Sequence, residues 1–385
     1  PFYSKDGRYV MVFNGEIYNY REVAEKYGIS AKTTSDSEVL IEAFSIDGVR
    51  CLSYLNGMFS LAIWDIGEKK LFLIRDRFGV KPLVYYKKEN DFAFASEIKA
   101  ITKLPIDKEI DMESLRHYLF LEFVPDGMTI FKNVHQLKNG YYLEYYRGEI
   151  KIAQWYDFRA KIQSRPLEAN SENAIIEKFD EILSSSIEYR QVSDVPVGAF
   201  LSGGVDSSLI CAKFQEQNTN PINTYTIGFD VAKYDESRFA RSVANILKTN
   251  HTEARISESS SINVVNQLCK FYDEPFSAPS AIPSLQVCQE AKKNVTVAMS
   301  GDGGDELFMG YGHYDLYKKF KKIYQLTPAI GRKALEKSLL LGNAKYQRGS
   351  RLFNLPVKNL FVHLWSEQQY MYSEKEISKL LSFEG

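Results

Sequence analysis

No stretch of this sequence is long and apolar enough to suggest a membrane crossing; no run approaches the ~20 residues a helical span needs. Nor is there an excess of charge of either sign. Lys and Arg number 48 against 49 Asp and Glu, a net charge of −1, which argues against broad binding to nucleic acid or anionic lipid. Cysteine is scarce. Cys51, Cys211, Cys269 and Cys288 are the only four, far apart and without a Cys-x-x-Cys pair. They read as reduced, mostly buried thiols of a cytoplasmic protein. Signal-peptide features are missing from Pro1-Phe2-Tyr3-Ser4-Lys5-Asp6, and there are no internal repeats. The sequence opens on Pro and stops at Gly385 without a clear end, so it reads as a fragment. What is present is ordinary for a soluble globular protein of two or three domains: 385 residues, 44% hydrophobic and 25% charged. Aromatics reach 14% but are scattered, as in core and interface packing rather than a stacking platform.

The first ~155 residues read as mainly β. Residues 9–13 form a short apolar run; 59–65 and 70–75 flank a polar hairpin turn at 66–69; 83–86 and 92–96 flank a second at 87–91. Short helices are expected over 20–27, 37–44 and 112–120, the last with Asp111 as N-cap. Closely spaced hairpins favour two stacked antiparallel sheets. Residues 159–171 are polar and contain Pro166, as a linker would. A helix follows Ser171, with Ile175, Ile176, Phe179, Ile182, Leu183 and Ile187 on one face. Strands at 195–201, 223–229 and 295–299 then alternate with helices at 207–217, 236–247, 262–272 and 285–292, the pattern of a parallel α/β sheet. From residue 311 the chain reads helical, with Lys318, Lys319, Lys321 and Lys322 on a solvated face.

Two glycine-rich loops carry the chemistry. Leu201-Ser202-Gly203-Gly204-Val205-Asp206-Ser207-Ser208 joins an expected strand to an expected helix. Its glycines allow a tight turn, and its N–H groups, hydroxyls and helix N-terminus form a cradle for phosphate. No Gly-Lys-Ser/Thr follows, so it is not a Walker A loop. Ser-Gly-Gly-x-Asp-Ser is instead the pyrophosphate-loop signature of enzymes that cleave ATP between its α- and β-phosphates. A packing turn of small residues is the plain alternative. The second loop, Ser300-Gly301-Asp302-Gly303-Gly304-Asp305-Glu306, also follows an apolar strand and belongs on the same sheet edge. Carboxylates beside a triphosphate repel it unless a hard cation stands between them, and Mg²⁺ takes one or two carboxylates plus phosphate oxygens. Asp206 and Asp305 are the expected Mg²⁺ ligands.

Ser193-Asp194-Val195-Pro196-Val197-Gly198-Ala199-Phe200, leading into the first loop with the second ~100 residues on, resembles the glutamine-hydrolysing asparagine synthetases of the bacterial B type. Val12-Phe13-Asn14-Gly15-Glu16-Ile17-Tyr18-Asn19, Ser35-Asp36-Ser37-Glu38-Val39 and Arg75-Asp76-Arg77-Phe78-Gly79-Val80-Lys81-Pro82-Leu83 follow the family's order. The resemblance covers nearly the whole chain. It implies an α+β N-terminal-nucleophile glutaminase sandwich, partial here, over 1–158, then a linker at 159–171. An α/β parallel-sheet ATP-pyrophosphatase domain, also incomplete, would occupy 172–385. It assigns the oxyanion of glutamine hydrolysis to the Asn14 side chain and the Gly15 N–H, and the α-amino end of glutamine to Glu16 and Asp36. On local sequence Asn14-Gly15 could instead be a simple type I′ turn, and Arg75, Asp76 and Arg77 read best as a structural ion-pair cluster. The same resemblance places ATP against Ser202, Gly203, Gly204, Asp206, Ser207 and Ser208, with adenine contacts from Leu201, Ile227, Ser300 and Gly301. Asp302 stands at the position linked to forming and aminating the acyl-adenylate.

The family's N-terminal nucleophilic Cys and its C-terminal catalytic Lys are not found in the chain. Two departures leave the acceptor open: Asp302 where familiar members often have Glu, and Ala278 where Asp is expected. The expected reaction amidates a carboxylate, aspartate first, with glutamine as nitrogen donor and ATP and Mg²⁺ as cofactors. Alternatives are amidation of a sugar or peptide carboxylate, a β-lactam-forming relative, and a catalytically dead binding protein. Expected partners are small-molecule substrates, with neither nucleic acid nor membrane, and assembly as a homodimer is left open.

Overall fold

The computed structural model describes residues 1–164, 171–231, 233, 235–256, 258–342, 346, 349, 350, 353, 371, 372 and 374–381. It divides into two units: residues 1–115, 124–196 and 265–275 form one, and 116–123, 197–264 and 276–385 the other.

In chain order the first unit holds β1 (Phe2–Tyr3), β2 (Tyr9–Ile17), α1 (Tyr20–Tyr27), α2 (Asp36–Asp47), β3 (Gly57–Asp65), β4 (Lys70–Arg75), β5 (Val84–Lys88) and β6 (Asp91–Ala95). After these come α3 (Ile98–Ile101), the start of α4 (Met112–Leu121), β7 (Val134–Gln136), β8 (Tyr141–Tyr146), β9 (Glu149–Gln154), α5 (Phe158–Gln163) and α6 (Glu172–Gln191). Two antiparallel sheets result, ordered β1-β2-β3-β4-β8-β9 and β6-β5-β7. The alternation of apolar residues explains the stacking. Ala62, Leu71, Leu73 and Leu143 of the large sheet share a core with Tyr85 of the small one, and Phe92 stacks on Tyr145 with centroids 4.2 Å apart. The opposite face of the large sheet turns Met11, Phe59, Leu61 and Ile63 against Leu40, Ile41 and Phe44 of α2. Each such side chain contributes about 1.5–3 kcal/mol relative to exposure. Asp111 caps α4 as expected, accepting from Ser114 N at 3.0 Å. The linker expectation is modified, because 158–163 is helical with Asp157 as its cap; Pro166 lies outside the described residues. Helix α6 departs further. Its apolar stripe is buried only in part: Ile175, Ile176 and Ile182 are 43%, 55% and 57% exposed. Its last turns are anchored by buried Ile187, a Tyr189–Glu22 hydrogen bond and Arg190 stacked 4.7 Å over the Tyr18 ring.

The second unit is built on four parallel strands in the order β12-β11-β10-β13: β10 (Val197–Phe200), β11 (Asn223–Phe229), β12 (Asn250–Ile256) and β13 (Val297–Met299). Crossovers run through α7 (Val205–Glu216), α8 (Ser237–Leu247), and then α9 (Glu258–Phe271) with α10 (Ala281–Ala291). Tyr225, Ala291 and Val295 form the core against α10, and Ala240 and Ala244 let α8 lie close to the sheet. Beyond β13 come α11 (Gly304–Phe308), α12 (Gly312–Leu326) and α13 (Ala329–Leu340). The four lysines of α12 are all exposed, as read. Among the described residues no helix is long and apolar enough to cross a membrane. The thiols divide evenly, contrary to the expectation of mostly buried ones: Cys51 and Cys211 are buried, Cys269 and Cys288 exposed, and all four are free.

Candidate active sites

In the first unit, Asn14 and Gly15 are strand residues, not a turn. Strand β2 pairs with β3 without interruption through Asn14↔Ser60, Gly15↔Phe59 and Glu16↔Met58. The glycine has a physical reason: at φ +150° a β-carbon on Gly15 would lie 2.1 Å from Met58 O. The Asn14 amide Nδ2 donates to Ser96 Oγ at 3.3 Å, a partner that sequence reading did not find. At the end of β2, Ile17 N donates to Asp36 Oδ2 at 2.8 Å. That bond brings Asp36, first residue of α2 and next to its cap Ser35, beside the Asn14–Glu16 segment. Burial, and next the Asp36 charge, raise the Glu16 carboxyl, while Lys81 pulls it down. Anionic side chains gathered this way suit an ammonium group.

The Arg75-Asp76-Arg77 segment is structural, though not as an internal ion-pair cluster. Asp76, 1% exposed, accepts from the N–H groups of Phe59, Phe78, Val80 and Lys81 at 2.9–3.2 Å. Arg75, also buried, donates to the carbonyls of Gly79, Lys81 and Leu137 at 2.8–3.0 Å and to Asp126 at 3.2 Å. Arg77 lies over the Trp155 and Tyr156 rings. Asp76 and Arg75 thus tie down backbone rather than each other, and Arg77 also donates to Ser53 O at 3.1 Å.

In the second unit the two glycine-rich loops meet. Strands β10 and β13 are parallel neighbours, with Ala199 opposite Met299, so both loops leave the carboxyl ends of adjacent strands. Gly301 and Gly304 are where they touch. A β-carbon on Gly301 would come 2.7 Å from Ser207 N, and one on Gly304 2.5 Å from Asp206 Cγ. Asp206 therefore faces the acidic loop, one residue from Asp305. Inside the first loop, Ser202 and Ser207 hydroxyls are 2.9 Å apart, and Ser202 Oγ accepts from Gly204 N at 3.2 Å. Among the described residues Ser208 Oγ is buried without a hydrogen-bond partner. Among those residues no side chain caps α7, and of its first-turn N–H groups that of Ser207 is the one Gly301 packs against. Leu201 N donates to Tyr225 O at 2.9 Å, and Ile227 lies in β11, the neighbouring strand. Asp302 Oδ2 accepts from Ser300 Oγ at 3.0 Å and lies near Cys288.

In donor chemistry the two loops suit Mg²⁺. Asp206 and Asp305 supply hard oxygen donors on the two adjoining loops, Asp206 against Gly304 and Asp305 over Gly310. Among the described residues no group of three His, Cys, Asp or Glu gathers for a metal, and a cation shared with phosphate oxygens needs only one or two carboxylates.

Comparison with known proteins gives each half of the chain a family. Residues 178–380 match the asparagine synthase family model and residues 1–156 the glutamine amidotransferase domain model. A putative glutamine-hydrolysing asparagine synthetase 2 of Methanocaldococcus jannaschii is 33% identical over 374 residues, 95% of this chain and 71% of that protein. Glutamine-hydrolysing asparagine synthetase 1 of Bacillus subtilis is 35% identical over 82% of this chain, and a putative one of Mycobacterium bovis 34% over 80%. The chain spans about half the length of the last two, 49% and 48%. With its glutamine amidotransferase domain followed by an α/β domain that carries both glycine-rich loops, the chain belongs to the asparagine synthase family.

Proposed function

We propose that the protein amidates a carboxylate, aspartate to asparagine in the first instance, using glutamine nitrogen and the energy of ATP cleavage to AMP and pyrophosphate. The observation that supports this best is the meeting of the two loops, with Asp206 against Gly304 and, in the first loop, a Ser208 Oγ buried and unpartnered among the described residues.

In this reading Ser202, Gly203, Gly204, Ser207 and Ser208 hold the pyrophosphate, and Leu201, Ile227, Ser300 and Gly301 hold adenine. Asp206 and Asp305 hold Mg²⁺, which supplies charge neutralisation for the departing pyrophosphate. An oxygen of the acceptor carboxylate attacks the α-phosphorus, pyrophosphate leaves, and an acyl-adenylate remains near Asp302. Ammonia then attacks the acyl carbon and AMP leaves. In the other unit Asn14 and Gly15 stabilise the oxyanion of glutamine hydrolysis, and Glu16 and Asp36 bind the glutamine ammonium. The expected location is the cytoplasm, where ATP and glutamine are found.

The test uses the complete protein and an acceptor labelled with oxygen-18 in its carboxylate. One labelled oxygen should appear in AMP. Release of ADP and phosphate would sink the proposal, since it requires cleavage at the other anhydride. Running the assay with aspartate, uronic acids and peptide carboxylates identifies the acceptor.

A further inference from the structure

Gly203 needs an explanation that its own loop does not contain. At φ +85° a β-carbon there would lie 2.5 Å from Ala240 N and 2.6 Å from the Phe239 carbonyl carbon and Cβ. The pyrophosphate loop thus rests, backbone on backbone, against the first turn of α8, and whatever sets the start of α8 sets the peptide of Gly203.

The carboxylate of Asp235 ties that start to the sheet. Asp235 Oδ1 accepts from Ser237 N, the first residue of α8, at 3.1 Å, and from Phe229 N, the last of β11, at 3.4 Å. Ser237 and Ala240 are 2% and 0% exposed, so this turn has no room to drift. Gly228 leaves space for the arrangement, since a β-carbon there would touch Asp235 Oδ1 and the Ser237 side chain at 3.3 Å. Asp235 is itself held from the next strand. Arg255 of β12 places Nη2 3.6 Å from Asp235 Oδ2, Nε 3.6 Å from Glu253 and Nη1 4.0 Å from Asp230. Glu253 also pairs with Arg241 of α8. Strand end, helix start and edge strand are linked by charges that lie at the carboxyl edge of the sheet, where the pyrophosphate loop is.

We infer that Asp235, braced by Arg255, is a positioning residue for ATP, acting through Ser237 and the first turn of α8 on Gly203. This rests on the ATP site proposed above. It makes Asp235 a determinant of nucleotide affinity that touches no nucleotide.

The complete protein, assayed by ATP–pyrophosphate exchange, decides it. Asp235→Ala should raise KM for ATP by about ten-fold, the scale of a lost charge-assisted hydrogen bond, with KM for the acceptor and glutamine hydrolysis unchanged. Asp235→Asn keeps an acceptor for both N–H groups and loses only the ion pair, so it should recover most of the affinity. Arg255→Gln should give an intermediate rise, and it carries the test if Asp235→Ala does not fold. An unchanged KM for ATP in Asp235→Ala and Arg255→Gln overturns the inference. So does a loss spread evenly over every kinetic constant together with a lowered melting temperature, the signature of a merely structural role. Ser208→Ala separates this failure from failure of the site. If Ser208→Ala raises KM for ATP and the brace variants do not, only the brace is wrong; if none does, the ATP site itself is misplaced.

Discussion

The Cys51 thiol is fully buried, and burial, with the Asp47 carboxylate second, pushes it up to about 12. Nucleophilic attack on glutamine needs a thiolate, which Cys51 does not supply near neutral pH. Iodoacetamide on the native chain should therefore label exposed Cys269 and Cys288 and spare Cys51 and Cys211, as peptide mass spectrometry would show. In the complete protein Cys51→Ala should leave glutamate release from glutamine unaltered; its abolition would make Cys51 the nucleophile. The carboxylates of the loops carry a different expectation. Asn at position 206 or 305 preserves shape and removes one charge from the proposed Mg²⁺ site. Adenylation should slow on the order of a hundredfold, part of the several kcal/mol that a bound cation gives to transition-state charge. Asp305→Asn with exchange rates near wild type would dismiss the metal assignment. At this scale the sequence is legible where a residue's chemistry is rare, as in two glycines, three serines and an aspartate after one strand. It is misleading where a dipeptide has two uses. Asn14-Gly15 favours a turn by propensity, but the glycine is required because β2 and β3 approach too closely for a side chain.

Among the elements, the segment 265–275 is docked within the first unit by acidic side chains. Glu274 accepts from Ile130 N at 2.8 Å, and Asp273 pairs with Lys99 at 3.2 Å. Burial pushes the Glu274 carboxyl up to about 7, opposed by the Ile130 N–H and assisted by the Asp273 charge. Its folded pKa lies above the unfolded value of about 4.3, so the folded state holds the proton more tightly. That contribution is complete below the unfolded value and is lost as pH climbs towards 7. Glu274→Gln stays neutral and can still accept from Ile130. Its melting temperature should gain on wild type as pH rises from 5 to 8; a difference independent of pH would show that Glu274 is not buried as described. Elements with an apolar period were readable from sequence, and the β3/β4 and β5/β6 hairpins stand where alternation placed them. Strand β12 was not, because Asn250-His251-Thr252-Glu253-Ala254-Arg255-Ile256 is an edge strand with few apolar residues. The β8/β9 hairpin escaped for another reason. Its tyrosines alternate weakly in polarity, and its turn depends on Arg147 at φ +51° and Gly148 at φ +87°. Asp76 was misread because a buried carboxylate satisfied by four N–H groups has the same sequence as an ion pair.

For the molecule as a whole, each proposed site lies inside one unit. Asn14, Gly15, Glu16 and Asp36 belong to the first, and Leu201 to Ser208, Ile227 and Ser300 to Asp305 to the second. Each unit has its own core, one between antiparallel sheets and helices, the other around parallel strands. A substitution in one site should therefore leave the geometry of the other intact, and the two half-reactions should separate. Asn14→Ala in the complete protein removes one preorganised oxyanion donor, which costs roughly 10²–10³ in rate in comparable sites. Glutamate release and glutamine-dependent amidation should both fall by that order, while amidation supplied with ammonium chloride should stay near wild type. Asp206→Asn should give the mirror image: amidation lost with either nitrogen source and glutamate still released from glutamine. Paired measurements of glutamate and pyrophosphate, with glutamine and then with ammonium chloride, distinguish the two patterns. If Asn14→Ala depresses ammonium-supported amidation as severely as the glutamine-supported reaction, the sites do not act independently, and assigning glutamine chemistry to the first unit alone is wrong.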